Sequence, residues 1–203
     1  MHFAISILSG IGAALIVSGV IVVPAVGQPA AQVNTVFDFK KCHYASGRDI
    51  EDYGVHRCPG YAGIEVRVSA GDQRTQVSFG RRAGDEPAAS QTFPAFNSVS
   101  GGMIEWRLDI RPRGRPRPFA AIMRWNVKQD ESTDPTKGAV LVVTRLGEGH
   151  VCQVGFVDAR ANSDASELAR RIADENARTF QCGKDKPIVL GKTSPRLNLP
   201  AGP

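Results

Sequence analysis

Hydrophobic and polar residues alternate through much of the middle of the chain. The clearest run covers residues 104–110, where every even position is apolar and every odd position is charged. Residues 64–68 and 75–79 alternate in the same way around a turn at Ser69–Asp72. Three further segments, 119–127, 139–146 and 150–157, are rich in Val, Phe, Trp and Ile. Because short links join these segments, the pattern predicts an antiparallel meander with one apolar and one polar face.

The predicted polar face carries charges of both signs. Its members are Glu65, Arg67, Glu105, Arg107, Asp109, Arg124 and Arg145. Mixed signs on neighbouring strands favour cross-strand ion pairs, which stabilise little on a solvated surface. We therefore interpret this face as structural and exposed to solvent.

One segment, 163–180, has helical spacing instead. Leu168, Ala169, Ile172, Ala173, Asn176 and Phe180 form a stripe at helical spacing that is apolar except for Asn176. Asp164, followed three residues later by Glu167, resembles a capping box at the helix start. The stripe needs an apolar surface to cover, and the sheet offers one. The fold class predicted is α+β: an antiparallel meander with one C-terminal helix on its apolar face.

The first 27 residues contain no Lys, Arg, Asp or Glu, and all 45 such residues lie in the remaining 176. Ala4–Val23 is almost wholly apolar, and Ala25–Gly27 offers the small residues of a signal-peptidase site. We expect a signal peptide over 1–27, a linker over 28–35, a single domain over 36–190 and a flexible tail over 191–203. The apolar run is also long enough to span a bilayer, so a retained membrane anchor remains an alternative. A periplasmic or secreted location follows.

Four cysteines, Cys42, Cys58, Cys152 and Cys182, lie in the exported part. Strand 150–157 runs one way and the helix returns a similar distance, which brings Cys182 back beside Cys152. Cys152 also shares its strand face with Val154 and Phe156, the face that the helix should cover. By elimination, Cys42 pairs with Cys58. Two disulfides suit an oxidising compartment.

A metal site is the alternative for the first pair. Cys42 and His43 mirror His56 and Cys58, and Asp49, Glu51 and Asp52 lie between them. Neither arm has the spacing usual in zinc sites, so the disulfide is favoured over a metal. The same histidines and acids are the candidates for a small hydrolytic or metal-dependent site, the least supported function. No catalytic motif occurs, and we expect no catalytic residues, cofactor or metal.

The arginine segment, Arg111–Pro118, is the most biased stretch in composition. It holds four arginines, Arg111, Arg113, Arg115 and Arg117, and no acid, in a chain of net charge +5. The alternating prolines should hold it extended and outside any strand ladder. Each guanidinium can fork onto a carboxylate, sulfate or phosphate. The segment is either a solvated tip that resists aggregation or an anion-binding site.

The meander also predicts what surrounds this segment. The Gly147–Gly149 turn and His150 should lie at the same end of the sheet. The Lys128–Gly138 connection, with Asp130, Glu131 and Asp134, should lie at the opposite end. A loop at 93–102 carries two aromatics, Phe93 and Phe96, which we interpret as a small cluster beneath the loop.

Five segments together resemble a known group of proteins. They are Arg57–Tyr61, Phe96–Val99, Glu105–Leu108, Leu141–Gly147 and the helix Leu168–Cys182. Over about residues 36–190 the chain is similar to a family of small exported hypothetical proteins from rhizobium-like alphaproteobacteria. The resemblance implies an envelope protein and brings no catalytic residues with it.

These observations favour a non-enzymatic, exported binding module with a basic arginine tip. Its expected partner is anionic: a polysaccharide, a lipid headgroup or an acidic envelope protein. Nucleic acid is disfavoured because no aromatic lies between the arginines to stack on bases. A membrane partner through the N-terminus requires that the apolar segment is retained. The alternative is a periplasmic inhibitor or assembly partner that uses the 93–102 loop and the surroundings of His43 and His56.

Overall fold

The computed structural model describes residues 30–46, 54–128, 139–195 and 197–200, which form eleven strands and one α-helix. The strands are β1 (Ala31–Phe37), β2 (His43–Ser46), β3 (Gly54–Pro59), β4 (Glu65–Gly71), β5 (Arg74–Phe79), β6 (Asn97–Ser98), β7 (Gly102–Asp109), β8 (Arg117–Val127), β9 (Ala139–Arg145), β10 (Cys152–Asp158) and β11 (Ile188–Val189). The helix is α1 (Ala165–Asn176). Short 3₁₀ turns occupy Phe39–Lys41, Tyr61–Gly63 and Pro87–Ser90.

The main sheet has seven strands. Its order is β1-β7-β8-β9-β10-β11, and β6 pairs with the end of β8. Strands β7 to β10 follow one another as the antiparallel meander that the alternation predicted. β1 adds antiparallel to the outer side of β7, and β11 adds parallel to β10. With one helix packed on this sheet, the α+β fold class is confirmed.

A second, four-stranded sheet is formed by β2 to β5, also antiparallel and in chain order. The sequence indicated a single sheet and did not separate these strands from β7. Val66, Val68, Val77 and Phe79 of this sheet are buried in one core with Ile104, Trp106 and Leu108. The Phe79 and Trp106 rings meet edge to face, with centroids 5.6 Å apart. The second sheet therefore covers the face of β7 on which the helix was expected.

The helix covers the opposite face of the main sheet. Ala169, Ile172 and Ala173 are fully buried, in a second core with Ile122, Val143 and Val154. This is possible because β8 and β9 are apolar on both faces: Ala120 and Ile122 face the helix side, and Ala121 and Met123 the other sheet. The main sheet is thus the middle layer of three.

The helix is shorter than its sequence pattern. It covers Ala165–Asn176 rather than 163–180, and turns carry the chain on to the buried Phe180. Asp164 is the N-cap residue, but its side chain makes no capping hydrogen bond. The predicted capping box is therefore not formed.

Both predicted disulfides are confirmed. Cys42 is bonded to Cys58, and Cys152 to Cys182. The prediction that Phe156 lies on the strand face covered by the helix is wrong. A β-bulge between Gln153 and Gly155 shifts the register of β10, so that Cys152 faces the helix while Phe156 lies in the core between the sheets. One inserted residue moves every later side chain of a strand to the other face.

The ends of the domain differ from their predictions. β1 begins at Ala31, so residues 31–35 are strand rather than linker. The expected flexible tail is held down in part, since Leu197 is buried. Residues 1–29 lie outside the described residues, and with them the predicted signal peptide. Among the described helices, none has the length and apolarity needed to cross a bilayer.

Asp158 holds the tail. Its carboxylate accepts hydrogen bonds from the amide and hydroxyl of Ser194, at 2.8 and 2.6 Å, and from the amides of Arg160 and Ala161. Burial acts to raise the pKa of Asp158, but these hydrogen bonds together outweigh burial and hold the pKa below its ordinary value. The side chain of Asn162 also binds the backbone of Lys192 at both its amide and its carbonyl.

Candidate functional site

The arginine segment lies where β7 turns into β8. Arg117 pairs with Asp109 and Pro118 with Leu108, so the connecting loop is 110–116. The prediction that the whole segment stays outside the ladder is wrong for these two residues, and the predicted extended conformation is wrong because the chain turns at 112–114. A bulge beside Leu108 leaves Phe119 without a partner on β7. Proline is tolerated at such an irregularity because a regular ladder bond from its nitrogen is not required.

All four arginines of the segment are exposed. Among the residues that the structure describes, none forms an ion pair or a hydrogen bond with the side chains of Arg111, Arg113, Arg115 or Arg117. Their neighbour Arg178 behaves differently. It binds Asp109 at 2.7 Å and stacks on Phe119, with 3.4 Å between the guanidinium carbon and the ring centroid. The four guanidiniums of the segment are therefore exposed and unpaired within the described part of the chain.

Two other loops reach the same end of the main sheet, which we call the arginine end. Arg117 and Pro118 line a pocket of about 230 Å³ together with Arg81, Arg82 and the turn around Gly147. Its apolar lining comes from Ile64, Phe79, Leu146 and Val151. The predicted position of the Gly147–Gly149 turn is thereby confirmed. The amide of Leu146 also donates to the carbonyl of Phe119.

Arg81 and Arg82 were not among the predicted site residues. They follow β5 after a single glycine, Gly80, and the topology of the second sheet brings them beside Arg117. Two adjacent arginines shortly after a predicted strand are the pattern that could have identified them as site residues from the sequence. Arg82 is ion-paired with Asp85 at 2.9 Å.

Glu86 binds the backbone of the 147–151 turn at this end of the molecule. It is 7% exposed, and its two carboxylate oxygens accept from the amides of Gly149 at 2.7 Å and Val151 at 3.0 Å. The amide of Ala88 donates to the carbonyl of Val151. The acid is thus used inside the protein, and it fixes the 147–151 turn beside the arginines.

Arg107 and Glu105 on the charged side of β7 are shielded from solvent while Asp109 stays partly exposed, which corrects our interpretation of that face. Arg107 is 2% exposed and lies beneath α1, bound to Asp174 and Glu105. Glu105 also accepts from Arg170, a hydrogen bond that raises the pKa of that guanidinium. These residues join helix to sheet and leave no free charge for a partner.

The remaining members of that predicted face are scattered. Arg124 is exposed on the helix side of the sheet, and Arg145 donates to the carbonyl of Phe180. Glu65 and Arg67 belong to the second sheet, where Arg57 lies 3.7 Å from Glu65. They do not form one continuous surface.

The two histidines near the first disulfide do not converge. His43 pairs with Arg57 and His56 with Tyr44, which puts the imidazoles on opposite faces of the β2–β3 pair. The ring of His56 lies between those of Phe39 and Tyr44. Both cysteines are disulfide-bonded, and no group of three metal-ligating side chains occurs among the described residues. Asp49, Glu51 and Asp52 lie outside them.

The 93–102 loop is anchored to the body of the protein. Phe93 is fully buried against Trp125 and Phe156, in the main core rather than in a separate cluster. Two cations lie near the ring of Phe96: Cζ of Arg74 is 5.4 Å from the ring centroid, and Nζ of Lys128 is 5.5 Å from it. The acidic connection predicted for the opposite end, with Asp130, Glu131 and Asp134, lies outside the described residues.

Comparison of the chain with protein-family models, with curated proteins and with solved structures finds no match.

Proposed function

We propose that this protein is an exported, non-enzymatic binding module of the cell envelope that holds an anionic partner at its arginine end. The observation that carries the proposal is a cluster of four exposed arginines within seven residues that have no partner among the described residues, whereas exposed arginines such as Arg124 and Arg171 lie apart from it. Arg107, Arg170 and Arg178 are each bound to a carboxylate of the domain. The four of the arginine segment have no such partner among the described residues.

The shape of the segment supports the same conclusion. Three of its arginines stand on a loop of seven residues, 110–116, between two paired strands. The chain turns at 112–114 within this loop, and Arg111, Arg113 and Arg115 are all exposed on it. A row of forked donors fits a partner that carries repeated sulfate, phosphate or carboxylate groups.

Two separate features support a location outside the cytosol. Two disulfides are typical of proteins outside the reducing cytosol. The apolar, uncharged first 27 residues have the character of an export signal. Polysaccharides, lipid headgroups and acidic proteins of the envelope are the anionic partners available there.

Binding to dextran sulfate, a soluble sulfated polymer, tests the proposal. We expect the affinity to fall steeply between 50 and 300 mM NaCl, because exposed charges are screened and bound counterions are released. The variant R111A/R113A/R115A/R117A should lose binding. The matched control K40A/K41A/R124A/R171A removes four exposed charges elsewhere and should retain most of it. Binding that is insensitive to salt, or equal in the two variants, would overturn the proposal.

A further inference from the structure

The described chain begins at the arginine end. Ala31, the first residue of β1, pairs with Leu108, two residues before the 110–116 loop. The carbonyl of Ala30 accepts from Nη2 of Arg107 at 2.9 Å, and the side chain of Gln32 from Nη1 at 2.7 Å. The buried guanidinium of Arg107 therefore fixes the start of β1 beside the arginine segment.

Seven residues, 24–30, separate the apolar segment Ala4–Val23 from Ala31. The eight Cα–Cα steps from Val23 to Ala31 span at most about 29 Å when fully extended. A bilayer that holds the apolar segment therefore lies within that distance of the arginine end. The opposite end of β1, where Phe37 pairs with Gly102, lies a whole strand further away.

An apolar side chain accompanies the arginines. Ile110 opens the loop and is 64% exposed, although Ile104, Trp106 and Leu108 of the strand before it are buried. An exposed apolar residue next to clustered basic ones is typical of surfaces that bind the interfacial region of an anionic bilayer.

We infer that the arginine end is the membrane-facing end of the protein and docks on the headgroups of anionic phospholipids. The inference rests on the proposed function and names its partner. Ile110 enters the headgroup region, while Arg111, Arg113, Arg115 and Arg117 bind lipid phosphates. A soluble polyanion is the competing partner, and the experiment separates the two.

Vesicles of phosphatidylcholine with 30% phosphatidylglycerol, and of phosphatidylcholine alone, are the probes. The full chain is produced with its own N-terminal segment and purified from the envelope. All four native cysteines are disulfide-bonded, so one added thiol can carry an environment-sensitive fluorophore. P112C places it in the arginine segment, and K40C places it near the far end of β1.

The label at P112C should shift to an apolar environment with phosphatidylglycerol vesicles and not with phosphatidylcholine alone. The label at K40C should respond to neither. In the R111A/R113A/R115A/R117A background the P112C response should need several-hundred-fold more lipid, since each arginine near an anionic surface contributes about five-fold. I110S should weaken the response further, and the K40A/K41A/R124A/R171A control should leave it in place. This readout reports orientation whether or not the apolar segment also inserts.

Two results would overturn the inference. In the first, the K40C label responds as strongly as the P112C label, so that the arginine end does not face the bilayer. In the second, phosphatidylglycerol does not change the response of the P112C label, while binding to dextran sulfate still requires the four arginines. The proposed function then stands with a soluble polymer as the partner. If neither probe requires the four arginines, both the inference and the proposed function fail.

Discussion

Arg107 binds both carboxylate oxygens of Asp174: its Nε lies 2.9 Å from Oδ1 and its Nη2 2.6 Å from Oδ2. The pair joins the middle of β7 to α1, and the same guanidinium reaches Glu105, Gln32 and the carbonyl of Ala30. One buried arginine therefore connects the helix, β7 and the edge strand β1. Only a forked guanidinium supplies enough donors for this.

Replacing Arg107 with Ala should destabilise the protein by about 3 kcal/mol, because a buried charge pair is broken by the loss of one partner. The Asp174 side chain is 24% exposed, so the figure falls at the lower end of the range for such changes. Arg107→Lys keeps the charge but loses the fork, and should be intermediate. Urea unfolding followed by the fluorescence of Trp106 and Trp125 measures the effect.

The matched control is Arg171→Ala, which removes an exposed charge from the same helix. It should change the free energy of unfolding by less than about 0.5 kcal/mol. An R107A protein as stable as the R171A protein would contradict the structural role of this arginine.

Asp158 predicts a loss of stability in acid. The folded pKa lies below the ordinary value of 3.8, so the carboxylate favours the folded state. Its contribution is complete above the unfolded pKa and disappears as the pH falls through the folded pKa. The free energy of unfolding, measured from pH 7 to pH 2.5, should therefore fall more steeply for the wild type than for Asp158→Asn.

At pH 7 the Asp158→Asn protein should be less stable by about 2 kcal/mol, the usual scale for hydrogen bonds to a charged group. Glu175→Gln, an exposed change on α1, should keep the pH profile of the wild type. If the D158N and wild-type profiles are parallel, the tail is not held by this carboxylate.

The close approach of β11 to β10 leaves no room for a side chain at Gly155. A Cβ atom at this position would lie 2.5 Å from the carbonyl oxygen of Ile188 and 3.0 Å from Cγ2 of Ile172. Gly155→Ala should push β11 away from the sheet and cost about 1 to 3 kcal/mol, as overpacking does. Limited proteolysis should then cleave near residues 188–195 faster.

Gly102→Ala is the control, since a Cβ there meets nothing within 4 Å. It should leave both stability and the cleavage rate near those of the wild type. Equal proteolysis of the G155A and G102A proteins would show that β11 does not depend on this close approach.

From the two disulfides we predict the number of free thiols and the loss of stability when either bond is removed. Titration of unfolded, unreduced protein should find no free thiol, and reduction should release four. Replacing Cys42 and Cys58 with Ala should cost about 3 kcal/mol, and replacing Cys152 and Cys182 about 4 kcal/mol, because the second pair closes the longer loop. Any thiol found before reduction would contradict the pairing.

Much of the fold could be predicted from local patterns. Alternation at 104–110 indicates a strand because side chains of a strand point to opposite faces in turn. The lengths of β10 and of the following helix were enough to pair Cys152 with Cys182, since an antiparallel return brings the chain back to its starting end. The arginine segment is recognisable from composition alone.

The environment of each strand face could not be predicted in this way. Charged residues at 105, 107 and 109 alternate identically whether water or a helix covers them. Whether Arg107 is solvated or buried depends on Asp174, 67 residues later in the chain. For the same reason the sequence did not separate the second sheet from the first, because strands of both have the same period.

The sequence by itself determined the strand and helix segments, the disulfide pairing and the exposed row of arginines, because each depends on short-range periodicity or composition. The tertiary structure decided which faces are covered, how the bulge between Gln153 and Gly155 turns Phe156 to the other core, that Arg81 lies beside Arg117, and that β1 starts at the same end of the sheet. These depend on contacts between residues far apart in the chain, and such contacts arise only when the three layers pack together.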